Sequence, residues 1–277
     1  MLKLAVVGKD VSASASPRMH TFILEKLGET CSYEKISIPP EEFSAYAESL
    51  FRDYDAFNVT IPFKGEIIPY LKELRGDART FGAVNTVVCR ERTGYNTDGY
   101  GFMLMLEDAG VAVSGKKVLV LGVGGAGRSC IKKLTEAGAE VYAYGRRMET
   151  VQSAHQDLGG FTPLERVPIK PFDMIINCTG VGMHDTVGMT PPVRLEDGSV
   201  IPVGEELLSL CGAAVDLIYE PKESEFLRIA RACKKPAVSG GAMLFYQAYY
   251  ADCIFIGRTP DAEEAKKLWE SYSEENE

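Results

Sequence analysis

The residues near the start of the chain best suited to chemistry are Thr60, Lys64, Asn85 and Asp98. Lys64 ends the stretch NVTIPFK (58–64), where a good strand sequence runs into a proline, a phenylalanine and a lone lysine. Lysine is rarely buried unless it is paired, so this one, taken alone, reads as a strand end reaching into water. The segments GAVNTV (82–87) and GYNTDGYGF (94–102) each set an Asn-Thr pair at or just after a strand, and the second adds Asp98 between small residues. Asx side chains commonly do no more than fix turns, and either segment alone reads that way. Together Thr60, Lys64, Asn85 and Asp98 make a polar set suited to grasping vicinal hydroxyls.

A second set lies upstream. SASASPRMH places Ser12, Ser14 and Ser16 at every second position, so that in an extended segment the three side chains point the same way. Ser16-Pro17 is a natural helix start, serine as cap and proline in the first turn. Two readings stand level: Ser16 caps and the others are loop polarity, or hydroxyls and helix end together grip a carboxylate.

The third set is VLVLGVGGAGRS, where apolar residues lead into Gly122, Gly124 and Gly127. This fits GxGxxG between a strand and a helix: the first glycine makes the tight turn, the second admits a pyrophosphate to the backbone, and the third lets helix and strand pack closely. The free N–H groups and positive dipole end of the helix then face the pyrophosphate. An NAD site usually carries an acid about 20 residues further on for the ribose hydroxyl, whereas arginine suits a 2′-phosphate. Here the next strand, EVYAY, ends in Gly145-Arg146-Arg147. Two forked guanidiniums favour NADP over NAD, with Glu149 close by as the opposing sign.

The elements that must carry these sets alternate between β-rich runs and helical patterns along all 277 residues, which is α/β architecture. LAVVG, SYEKISI, AFNVTI and AVNTVVC read as strands of a first domain, with helices beginning near Ser16, Glu41 and Gly65. A second series begins at KKVLVLG and continues through EVYAY, FDMIINCTG, AAVDLIY and PAVSG; two helical stretches, roughly 242–256 and 260–272, follow Gly240-Gly241. The expected domains are 1–100 for substrate and 101–240, a Rossmann-type doubly wound parallel sheet, for the dinucleotide. Periodicity does not assign the last helices to either, and the acidic end SEENE reads as a frayed terminus. A formal net charge of -9 argues against nucleic acid as the main partner. Seven scattered cysteines without a CxxC pair read as reduced thiols of a cytoplasmic protein, and three distant histidines make a metal centre unexpected. The start reaches its charges too early for a signal peptide, and AMLFYQAYYADCIFIG is too short and too polar to span a membrane.

With these segments in order, the chain resembles the shikimate dehydrogenase family over essentially its whole length. SASASP with His20 matches the family's carboxylate motif at Ser14 and Ser16; NVTIPFK, GAVNT and YNTDGYG match its next three motifs; GVGGAGR sits at its glycine loop. NCTGVGM, DLIYEP and GGAMLFYQA (240–248) match the remaining three. The resemblance implies NADPH-dependent reduction of 3-dehydroshikimate to shikimate, on the way to chorismate and aromatic compounds. It gives the carboxylate to Ser14 and Ser16, the ring hydroxyls to Thr60, Asn85, Asp98 and Gln247 with Tyr219 nearby, and catalysis to Lys64 and Asp98. The cofactor would meet Gly122, Gly124, Gly125, Ala126, Gly127, Arg146, Arg147, Leu217 and Gly240. It also folds the last helices, 241–277, back onto the first domain, which lets Gln247 reach the substrate. Lys64 held against Asp98 would then donate a proton in reduction and accept one in oxidation, with domain closure excluding water. A monomer or homodimer is implied.

The chain departs from the family pattern at several places. Asp10, Ala13 and Thr21 replace the usual residues around the serines, and Glu220 stands beside Tyr219 in place of Asn. Gly145 and Arg147 stand where Asn and Thr or Ser are usual, which leaves Arg146 as the main 2′-phosphate ligand; Gly180 replaces a common Ser. Two alternatives stay open: a quinate/shikimate dehydrogenase with broader substrate or NAD use, and a nonenzymatic NADP-binding regulator. The regulator predicts a damaged catalytic pair, whereas Lys64 and Asp98 are both in place.

Overall fold

Leu4, Ala5, Val6 and Val7 are all buried, a continuous apolar run that suits a strand covered on both faces. In the computed structural model, which describes residues 1–275, this run is the middle of β1 (Leu2–Gly8). Strand β1 pairs in parallel with β2 (Cys31–Ser37) and with β3 (Ala56–Val59). Helix α1 (Ser16–Lys26) links β1 to β2, and α2 (Phe43–Asp53) links β2 to β3. After β3 come β4 (Glu73–Leu74), the short α3 (Asp77–Phe81), β5 (Thr86–Val88) and β6 (Thr93–Tyr95). The sheet runs β2-β1-β3-β5-β6-β4, with β5 antiparallel to both neighbours.

Alternation along β1 divides this sheet's two cores. Ala5 and Val7 join Phe57, Val59 and the apolar stripe Phe43, Ala47 and Leu50 of α2; Leu4 and Ala56 face Leu24 of α1. Phe63, fully buried and stacked on Phe43 with centroids 4.1 Å apart, anchors the residue just before Lys64. Burying such a ring stabilises by about 3 kcal/mol, so the phenylalanine of NVTIPFK ties the lysine's backbone to the core.

The second sheet is wholly parallel. After α4 (Asp98–Asp108) come β7 (Lys117–Leu121), α5 (Gly125–Glu136), β8 (Glu140–Tyr144), α6 (Met148–Leu158), β9 (Phe161–Leu164) and β10 (Met174–Asn177). A small antiparallel hairpin, β11 (Pro192–Arg194) and β12 (Val200–Pro202), precedes α7 (Glu205–Leu208), β13 (Ala213–Asp216), α8 (Glu225–Ala232) and β14 (Ala237–Ser239). The order β9-β8-β7-β10-β13-β14 is the doubly wound arrangement, with its reversal of direction between β7 and β10, where such sheets bind ligands. Two helices finish the chain, α9 (Gly241–Phe255) and α10 (Ala262–Glu274).

The chain forms two compact units: Met1–Gly101 together with the segment from Phe245 onward, and Phe102–Leu244. It passes from one to the other inside α4 and again inside α9. No helix among the described residues is long and apolar enough to cross a membrane.

The structure differs from the sequence expectation in detail. No regular helix begins at Gly65; that stretch is turns and a 3-10 turn at Ile68–Tyr70, where Pro69 lacks a helix donor. The helix expected from Glu41 starts at Phe43, after a 3-10 turn at Pro40–Glu42. Ser273 and Glu274 of the acidic tail are helical, and its last two residues lie outside the described part.

Candidate active site

Two loops with the composition of turn-formers are stitched to each other by their asparagines. Asn96 Nδ2 donates to the Ala83 carbonyl (3.0 Å), and its Oδ1 accepts the Asp98 amide (3.0 Å). Asn85 Oδ1 in turn accepts the Thr97 amide (2.9 Å). Asn96 is thus the turn-fixing residue, which frees Asn85 to aim its amide group elsewhere. Asn85 Nδ2 reaches Asp98 Oδ1 (2.8 Å), Thr97 Oγ1 (2.9 Å) and Gln247 Oε1 (3.4 Å). Thr97 Oγ1 also donates to Gln247 Oε1 (3.2 Å), so α9 contributes directly to the cluster.

Lys64 completes it. Its Nζ lies 2.7 Å from Asp98 Oδ2, and the two side chains keep 26% and 14% of their exposure, enough for a ligand to reach both. The Val84 amide donates to the Lys64 carbonyl (2.8 Å), which fixes the lysine's backbone to the segment carrying Asn85. Asp98 is the first residue of α4, where the positive end of a helix suits a carboxylate. A charged ammonium, a carboxylate and two amides within hydrogen-bond reach can hold hydroxyls and pass a proton. Thr60 follows β3 and is half-buried, with its amide bonded to Val7 (2.9 Å) and its side chain in no described hydrogen bond.

The serine segment is not extended. It forms a turn, in which Ser12 bonds Asp10 through both its amide (3.0 Å) and its hydroxyl (2.7 Å), and the Ser14 amide bonds the Val11 carbonyl (3.0 Å). Ser14 and Ser16 still come together, with Oγ atoms 3.0 Å apart. Ser16 is the first helical residue rather than the cap; Ala15 holds that position and Pro17 lies in the first turn. His20, buried behind them, pairs through Nδ1 with Asp252 Oδ1 at 2.7 Å.

The second unit holds the glycine set. Gly122 opens the turn after β7 at φ +96°, and a Cβ there would meet Thr179 at 2.8 Å. A Cβ on Gly127 would lie 2.1 Å from the Gly122 carbonyl oxygen, so only glycine lets α5 pack this close to the turn. Gly124, Gly125 and Ala126 are exposed at the N-terminus of α5, and a Cβ on either glycine would meet nothing within 4 Å. Open backbone at a helix start, framed by two sterically obligatory glycines, fits a dinucleotide's pyrophosphate. Arg146 and Arg147 are exposed beyond β8, in no described side-chain hydrogen bond or ion pair. Leu217 and Gly240 touch backbone to backbone, since a Cβ on Gly240 would sit 2.2 Å from the Leu217 oxygen. Tyr219, 41% exposed, follows in the same unit, its hydroxyl pKa raised by burial and by the neighbouring Glu220.

The ends of β10 and β13 are held by a buried knot of Asn177 from NCTGVGM, Asp216 from DLIYEP and Ser224 just beyond it, a role the sequence alone does not attach to them. Asp216 accepts from Ser224 Oγ (2.5 Å), Asn177 Nδ2 (3.0 Å) and the Ile218 amide (3.1 Å). Burial pushes its carboxyl up to about 6, against the pull of those donors. Thr97, Asn58 and Asn96 are likewise parts of the first cluster that sequence reasoning does not single out, although all three stand inside its motifs.

A doubly wound unit with an open glycine loop, joined in one chain to an α/β unit bearing a lysine–aspartate pair, defines a dinucleotide-linked class of protein. The comparisons make this specific. Residues 6–87 match the model of the shikimate dehydrogenase substrate binding domain. The NADP-dependent shikimate dehydrogenase of Thermus thermophilus is 36% identical over 94% of this chain and 95% of its own length. That of Streptococcus sanguinis is 35% identical over 98% and 95%. The crystal structure of a Thermus thermophilus shikimate 5-dehydrogenase in complex with NADP(H) and shikimate superposes with a TM-score of 0.81, at 34% identity over 97% of this chain and 98% of that one. The chain belongs to the shikimate dehydrogenase family.

Proposed function

We propose that this protein is an NADP-dependent shikimate dehydrogenase, interconverting 3-dehydroshikimate and shikimate in the route to chorismate and aromatic amino acids. The observation that carries the reading is the Lys64–Asp98 contact at 2.7 Å, tied through Asn85 to Gln247. In this reading Met1–Gly101 and the C-terminal helices bind substrate, and the parallel-sheet unit binds cofactor.

NADPH, when bound, supplies the hydride. As the substrate carbonyl becomes an alcohol, negative charge gathers on its oxygen, and Lys64 delivers the proton that neutralises it. Asp98 holds the ammonium by one oxygen while its other is held by Asn85, so the pair keeps a single geometry. Asn85, Asp98, Thr60 and Gln247 bind ring hydroxyls, Tyr219 is a further substrate residue, and Ser14 and Ser16 bind the carboxylate. Gly122, Gly124, Gly125, Ala126 and Gly127 would receive the pyrophosphate and Arg146 and Arg147 the 2′-phosphate, and Leu217 and Gly240 would also meet the cofactor. The reading also carries a cytoplasmic location, in keeping with seven cysteines outside any disulfide, and a monomeric or homodimeric form.

The test is steady-state oxidation of shikimate and of quinate, each with NADP and with NAD, followed by the near-ultraviolet absorbance of the reduced nicotinamide. Strong turnover with shikimate and NADP alone is expected. Comparable turnover with quinate or NAD would replace the proposal by the broader-specificity enzyme, and silence in all four would replace it by the regulator.

A further inference from the structure

Gly8 closes β1, is buried, and keeps its backbone outside the left-handed region that favours glycine. The chain therefore does not need glycine there in order to turn. What needs glycine is space: a Cβ on Gly8 would lie 2.5 Å from Thr60 Cγ2, 2.8 Å from Val11 Cγ1 and 3.4 Å from the Ile61 carbonyl oxygen. A strand glycine with neighbours this close marks a place where another group seats against bare backbone. Here the nearest group is the methyl of Thr60.

Thr60 has little freedom to back away from that contact. Its amide donates to the Val7 carbonyl (2.9 Å), its carbonyl accepts the Phe63 amide (2.9 Å), and the Ile61 carbonyl accepts the Lys9 amide (3.2 Å). The turn that carries it is tied to the Asn85 segment at both ends: the Val59 amide donates to the Asn85 carbonyl (2.9 Å), and the Val84 amide to the Lys64 carbonyl (2.8 Å). Crowding at Gly8 therefore falls on the Thr60 side chain, whose response is rotation about χ1. Methyl and hydroxyl share one Cβ, so turning the methyl into another staggered well swings the hydroxyl by about 120°. That hydroxyl is in no described hydrogen bond, so among the described contacts it is the methyl's seat on Gly8 that fixes its direction.

We propose that Gly8 is a positioning residue for Thr60: its missing side chain leaves the seat that holds the Thr60 methyl, and this aims the Thr60 hydroxyl at the ring of the hydroxy acid. The inference rests on the reading of Thr60 as a substrate residue given above. A hydroxyl already held in one rotamer costs no ordering when the ligand arrives. The effect belongs to the hydroxy acid and not to the cofactor, whose candidate residues lie in the other unit.

The test compares Gly8→Ala, alone and combined with Thr60→Ser or with Val11→Ala, beside Thr60→Ser and Thr60→Val. KM for shikimate, KM for NADP, kcat and melting temperature are measured for each. Gly8→Ala is expected to raise KM for shikimate about tenfold, the size of one lost hydrogen bond, with KM for NADP unchanged. Thr60→Ser removes the crowded methyl and keeps the hydroxyl, so in Gly8→Ala it should bring shikimate KM back to the value of Thr60→Ser alone. Val11→Ala relieves only the second contact. It should raise the melting temperature of Gly8→Ala and leave its shikimate KM high, which covers the case of a poorly folding Gly8→Ala. An unchanged shikimate KM in Gly8→Ala, an equal rise for both substrates, a rise that Thr60→Ser does not reverse, or one that Val11→Ala does reverse each overturns the inference. If Thr60→Val, which keeps the methyl and deletes the hydroxyl, leaves shikimate KM untouched, the reading of Thr60 fails and the inference fails with it. A loss in Thr60→Val beside a silent Gly8→Ala sinks the inference alone.

Discussion

Asp98 and Asp216 are both aspartates at the end of a strand-rich motif, and each sits in a web of hydrogen bonds. Their surroundings differ in one respect that decides what each can do. Asp98 keeps 14% of its side-chain exposure and has a cation at 2.7 Å. Asp216 is fully buried and has only neutral donors, a serine, an amide side chain and a backbone amide. A paired carboxylate open to a ligand is placed for proton traffic, whereas one shut away from water and cations is driven toward its neutral form. The first arrangement suits chemistry. The second suits a clamp on loops.

The sharpest way to break this contrast is to remove the cation from the first site. Lys64→Ala is expected to lower kcat by about a thousandfold, within the usual range for loss of a general acid–base group, while KM for shikimate changes little. Near wild-type turnover would remove Lys64 from the mechanism and leave Asp98 no more chemical than Asp216. Lys64→Arg is expected to keep the ion pair yet recover little rate, because guanidinium does not release its proton at working pH.

That pair is legible in the sequence because its chemistry is written in short stretches: NVTIPFK and YNTDG supply Lys64 and Asp98 whole. The glycine loop is legible for the same reason, since steric need at Gly122 and Gly127 leaves glycine as the residue that fits. What stays hidden depends on contacts between distant segments. His20 and Asp252 are 232 positions apart, and nothing local in either helix announces the pair. Tyr33 and Asn58 meet only because β1 lies between β2 and β3, an order that strand patterns do not reveal. Strands of two or three residues such as β4 and β6 are too short for alternation to register. Ser16 misleads for a smaller reason: serine before proline fits the cap and the first turn equally well.

The clamp can be tested through pH. The Asp216 carboxyl rises from an ordinary 3.8 to about 6 on folding. The folded state therefore holds a proton there that the unfolded state has lost, and the group's contribution to stability is full below about 3.8 and is lost as pH rises through about 6. A rise of that size corresponds to about 3 kcal/mol. Asp216→Asn should remove this slope, which a comparison of urea midpoints at about pH 4 and pH 7 measures for both proteins. Asp252, also raised to about 6 by burial, keeps its own share of the slope in the variant. An unchanged pH profile would mean that Asp216 remains ionised in the fold and that the contrast with Asp98 is one of access only.

The same distinction, between groups committed to the protein and groups left free, separates the arginines of the parallel-sheet unit. Arg128, in the first turn of α5, is bonded to Asp157. Arg146 is exposed just beyond β8 and has no described side-chain partner, so its guanidinium keeps all its donors for a ligand. Arg146→Ala is expected to raise KM for NADP about tenfold, as loss of one charge-assisted contact does, with kcat and shikimate KM nearly constant. Turnover with NAD, which lacks the 2′-phosphate, should not change, so the ratio of the two cofactors' kcat/KM values is the quantity to measure. Arg147→Ala should move that ratio less, since Arg147 stands where the family usually has Thr or Ser. A ratio that follows Arg147 instead would exchange the two roles, and one that follows neither would place cofactor choice in the loop backbone, at the glycine that stands where the family usually has asparagine.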